Sequence, residues 1–108
     1  MSPKLSAFAE VIAKANDALM AKHQRLDTLM GIIDKTLRQQ GMAADAITID
    51  APSLDKKIVF LLPDIEPEQV EVAYGNKAGD IHRKERVAIV SLDIEQAQSM
   101  MESYFFTH

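Results

Sequence analysis

The sequence predicts an α+β domain: a long N-terminal amphipathic helix or helical hairpin, a three- to four-stranded antiparallel sheet, and a C-terminal helix packed on that sheet. Three observations carry this expectation. Apolar residues recur every seven positions from Leu5 to Ile33, strand-like runs and alternation replace that period between residues 47 and 91, and a helical stripe returns after Asp93.

The first element opens at Ser2-Pro3. Serine can cap the first free N–H groups, and proline is tolerated where no N–H partner is needed. Gly41 is the stop signal, able to take the left-handed conformation after a last turn. Between them there is no proline and one glycine, Gly31. Leu5, Ile12, Leu19, Leu26 and Ile33 fall at one heptad position; Phe8, Ala15, Lys22, Leu29 and Thr36 fall at its partner position. Val11, Met30, Ile32 and Leu37 widen the stripe, which suits burial against a domain better than a narrow coiled-coil seam. An unbroken helix over residues 3–40 is about 57 Å long. The radius of gyration of a domain this size is only ~13 Å. The helix therefore either projects to meet a partner or breaks at the polar stretch Lys22-His23-Gln24-Arg25, with Asp27 capping a second helix. Leu19, Leu26, Leu29 and Ile33 are the residues expected at an interface or in the core.

The sheet comes next. Ile47-Thr48-Ile49 reads as a short strand and Ala51-Pro52-Ser53 as a turn. Ile58-Val59-Phe60-Leu61-Leu62 is a continuous apolar run of central-strand type, ended by Pro63. Val70, Val72 and Tyr74 alternate with Glu71 and Ala73. The segment from Gly75 to Asp80 has hairpin-turn chemistry, and residues 86–91 supply the returning strand. Asp93 caps the last helix, with Gln96 three residues on and Ile94, Ala97, Met100, Met101, Tyr104 and Phe105 on its apolar face. One domain over 1–108 is expected, with residues 1–41 as a helical arm, 42–46 as a short linker, and 46–108 as the sheet plus C-terminal helix.

Composition narrows the function classes. The 108 residues are 47% hydrophobic and 26% charged, enough apolar content to offset the entropy of ordering. The absence of cysteine excludes disulfides, zinc–thiolate sites and thiol catalysis. Lys14 and Lys22 interrupt any apolar core near the start, so no signal peptide is expected, and no apolar run reaches the ~18 residues of a membrane span. A cytoplasmic chain without membrane contact is the expectation. The net charge of −4 argues against nucleic acid as a partner, because phosphate neutralisation supplies most non-specific affinity.

Candidate chemistry is sparse. Asp80 and His82 sit two apart, a spacing that puts both on one face of a strand. His82-Arg83-Lys84-Glu85-Arg86 can grip an anion or, as a charged sheet edge, repel other strands. Asp64, Glu66 and Glu68 form an acidic loop without the spacing of a dedicated calcium loop. His23 lies beside the helical stripe and His108 is terminal. Phosphate-cradling glycine loops, the dinucleotide fingerprint and the hydrolase nucleophile elbow are all missing. Neither a cofactor nor a metal is expected.

The expected function is a non-enzymatic protein-interaction module, a homodimeric regulator, adaptor or small chaperone-like binder whose partner is itself or another protein. The alternative is a small-ligand-binding domain or enzyme with its site near the 74–86 hairpin, using Tyr74, Asp80, His82 and Arg83.

Overall fold

The computed structural model describes residues 2–107, and His108 lies outside them. Helix α1 (Pro3–Lys22) starts as its sequence demands: the Ser2 hydroxyl oxygen accepts from the Leu5 N–H at 3.1 Å, and Pro3 occupies the first turn. Leu5, Phe8, Ile12, Ala15 and Leu19, the first half of the heptad pattern, are the buried stripe at 0–3% exposure. Twenty residues give a helix of about 30 Å. That fits a molecule 36 Å in its longest dimension with a radius of gyration of 13.1 Å.

The helix breaks at the polar stretch, where the His23 N–H closes the last turn onto the Leu19 carbonyl. The expected second long helix does not form. Leu29–Ile33 is instead strand β1, and only one helical turn, α2 (Thr36–Gln39), comes after it. Leu26, Leu29, Ile33 and Leu37 keep helical spacing, but Leu-Met-Gly-Ile-Ile is also a short apolar run with two β-branched residues. Periodicity alone does not separate the two cases; pairing with a neighbouring strand does. Gly41 takes φ +90° just beyond α2, the left-handed turn its position predicts.

The sheet has five strands rather than three or four. β1 is joined by β2 (Ala44–Ala51), β3 (Lys56–Pro63), β4 (Gln69–Gly75) and β5 (Ile81–Ala88), all antiparallel in the order β1-β2-β3-β4-β5. β2 begins at Ala44, inside the expected linker. β5 begins at Ile81, so the charged residues form the strand itself, while residues 89–91 are a 3₁₀ turn. An outermost strand needs only one apolar neighbour, and its charges hide the strand from hydrophobicity arguments.

Helix α3 (Ile94–Phe105) packs beside α1. The Asp93 carboxylate accepts from the Gln96 N–H at 2.8 Å, as the capping pattern predicts. At the other end the Lys56 ammonium donates to the Tyr104 and Thr107 carbonyls at 2.7 and 2.8 Å, a cation against the negative end of the helix. Both helices bury the sheet face that carries Ile47, Ile49, Ile58, Phe60, Val70, Val72 and Tyr74. Phe8 meets Phe60 edge-on, with ring centroids 6.0 Å apart. Neither helix is long and apolar enough to cross a membrane.

Candidate functional site: the uncovered sheet face and its edge strand

Strand residues alternate between faces, and the register names both sets. Met30, Ile49, Ile58, Tyr74 and Arg83 stand in one cross-strand row under the helices. The next row, Gly31, Thr48, Val59, Ala73 and Lys84, points to the opposite face, as does the row of Ile33, Ala46, Leu61, Glu71 and Arg86. Among the described residues no long helix covers that face. Leu37 from α2 and Met42 after it rise at one side, and Gly79 and Ile81 of the last hairpin rise at the other. Small residues between these walls leave a trough of about 310 Å³.

The trough floor is apolar at its centre. Ala46, Thr48 and Ala73 are small and nearly closed off by their neighbours, while Val59 and Leu61 are half-buried. Gly31 leaves room here, because a Cβ at that position would sit 2.7 Å from the Thr48 hydroxyl oxygen and force that side chain to move. Charge lies only on the flanks and is internally balanced: Lys57 pairs with Asp50 at 3.5 Å and Lys84 with Glu71 at 3.4 Å. An apolar centre between neutralised flanks attracts apolar side chains and discriminates little by charge.

The two edges of the sheet differ in kind. β5 exposes His82, Lys84 and a row of further charged groups, the usual defence of an outer strand against unwanted pairing. β1 carries no charged residue at all. Leu29 is 65% exposed and Ile32 42% exposed on it.

The residues expected at an interface or in the core thus separate into two pairs. Leu19 and Leu26 are buried in the core beneath the helices, whereas Leu29 and Ile33 lie on the edge strand and face the open side. The hairpin candidates are also dispersed. Asp80 belongs to the turn, where its N–H donates to Asn76 Oδ1 at 3.0 Å and its carboxylate accepts from Asn76 Nδ2 at 3.2 Å. A register shift at Tyr74/Gly75 sets His82 beside Asp55, Lys56 and Tyr104 at the helix-α3 end of the sheet. Arg83 instead lies exposed over the Tyr74 ring at 4.2 Å, on the helix-side face of the sheet. Burial, and then the hydrogen bond donated to Glu85 at 3.0 Å, raise the Tyr74 pKa well above that of a free phenol. Tyr74 is thus a neutral packing residue at physiological pH. Arg86 binds Glu66 at 3.0 Å.

The acidic loop is likewise engaged. Arg38 holds Asp64 with two hydrogen bonds of 2.7 and 2.9 Å and reaches Asp45 at 3.1 Å. The hydrogen bonding lowers the Asp64 pKa and raises that of Arg38. Among the described residues, no three His, Asp or Glu side chains gather as a metal site. One further polar cluster ties the helix ends together. His23 Nε2 lies 2.6 Å from Glu102, its ring stacks on Phe106 with centroids 4.2 Å apart, and Lys22 reaches the same carboxylate at 2.9 Å.

Reading single residues missed the trough floor, although a signal for it was present. Ile58 to Leu62 is apolar at every position, and in β2 Ile47 and Ile49 alternate with the small Ala46 and Thr48. A run such as that of β3 is apolar on both faces and calls for cover on both. Comparison of the chain with protein-family models, curated proteins and solved structures found no match.

Proposed function

We propose that this chain is a non-enzymatic protein-interaction module that works as a homodimer and receives an apolar segment of a partner protein on its open sheet face. One observation carries the reading: β3 is apolar on both faces and β2 adds the small Ala46 and Thr48 to the uncovered one, while α1 and α3 cover only the other. Burying apolar surface is favourable by roughly 25 cal/mol per Å², so an open apolar face gains stability when another surface closes it. The internal salt bridges beside the trough support a protein partner over an anionic or cationic ligand, because they leave no unbalanced charge to attract one.

Native mass spectrometry at increasing chain concentration tests the assembly. A species of twice the 12.0 kDa chain mass, without added non-protein mass, is the expected result. A monomer at every concentration would overturn the homodimer. A chain that retains a small molecule would instead favour the ligand-binding alternative, for which Gly79, Ile81 and Lys84 of the hairpin already line the trough.

A further inference from the structure

We infer that a second copy of this chain pairs edge to edge along β1, antiparallel and centred on Gly31, so that two five-stranded sheets join into one continuous sheet of ten. This inference rests on the homodimeric reading above and specifies its contact. An outer strand presents a row of backbone N–H and C=O groups without strand partners, and the sequence decides whether that row is guarded. The β5 edge is guarded by charge, and the β1 edge is not.

The pattern of β1 is complementary to itself. In the Gly31-centred register, Leu29 stands opposite the partner's Ile33 on the open face, and Met30 stands opposite the partner's Ile32 on the helix face. Each of the two exposed apolar side chains, Leu29 and Ile32, thereby meets a half-buried apolar one. The flanking charges agree with the same register. Four residues on either side of Gly31 lie Asp27 and Lys35, both exposed, and neither is in an ion pair among the described residues. Antiparallel pairing brings Asp27 toward the partner's Lys35, and the two-fold symmetry repeats the pair at the other end. Sliding the register by two residues loses this: one slide sets Thr28 against the partner's Ile32, and neither direction keeps acid against base. The floor of the trough runs out to β1 through Gly31 and Ile33, so the pairing also joins the two troughs across the dimer axis.

The absence of native cysteine makes the register directly readable. Leu29→Cys and Ile33→Cys variants, mixed one to one and mildly oxidised, should form a disulfide between different chains severalfold more than either variant alone. Opposed residues of antiparallel strands lie within disulfide reach. Met30→Cys mixed with Ile32→Cys should behave the same way. In parallel, Ile32→Lys should convert the dimer to a folded monomer of unchanged circular dichroism. A dimeric native mass in which the mixtures cross-link no better than the single variants, and in which Ile32→Lys stays dimeric, would overturn the edge pairing and leave the homodimer standing on another surface. Monomers throughout, with no cross-linking, would overturn both.

Discussion

Glu102 shows how much one side chain can hold. It sits on α3 yet binds Lys22 and His23 at the end of α1, fastening the two helices to each other at that end. The hydrogen bond from His23, and then that from Lys22, lower its pKa below the ordinary value near 4.5. A carboxylate depressed by folding stabilises the native state fully above its unfolded pKa, and that contribution disappears as pH falls through the folded value. The thermal midpoint of the wild-type chain should therefore drop as pH falls below about 5, and Glu102→Gln should flatten that acid slope while leaving the fold intact. Scanning calorimetry between neutral and acid pH checks this, and an identical slope in both proteins would show that the latch contributes nothing. Lys56 is the complementary case at the same helix, a strand residue whose charge satisfies the last α3 carbonyls. Neither role is visible in the sequence, since each depends on a contact across 48 to 80 residues of chain.

Among the elements, β1 is where local and tertiary preferences diverge. Its residues continue the seven-residue spacing of α1, and nothing in residues 29–33 forbids a helix. The strand wins because β2 offers it a five-residue ladder, Leu29 to Asp50 through Ile33 to Ala46, which an isolated helix cannot match. A pair of substitutions separates the two halves of the heptad row. Leu26 is in the core, so Leu26→Asp leaves an uncompensated buried charge and costs roughly 3–5 kcal/mol, a large part of the total for a domain of this size. Leu29→Asp puts its charge in water and should change stability by less than about 0.5 kcal/mol while removing the proposed dimer. Urea denaturation at low chain concentration distinguishes them; equal losses for both variants would mean that Leu29 belongs to the core of the single chain. The neighbouring elements were more legible. Ser2-Pro3 and Asp93 start helices because their side chains act within three residues, and the run at Ile58 is a strand because it is β-branched and bounded by Pro63.

For the molecule as a whole, the proposed dimer predicts that assembly contributes to the apparent stability. If folding and pairing are linked as proposed, the thermal midpoint should rise with chain concentration, by mass action on the dimer. A midpoint unchanged from dilute to concentrated chain would argue against the dimer. Composition and periodicity were sufficient for the class of fold: helix, antiparallel strands and helix, with the right caps, arise from interactions that reach only a few residues along the chain. The strand count, the site of the trough and the contrast between the two sheet edges were not legible. They depend on which strands end up outermost and which face the two helices choose, and those choices are made by burial of the whole apolar set at once. Asp80 and His82 are close in sequence but separated by a turn and a register shift, while Gly31, Thr48, Val59 and Ala73 are distant in sequence and adjacent in one row. Short-range chemistry determines elements, and long-range packing alone decides which residues share a surface.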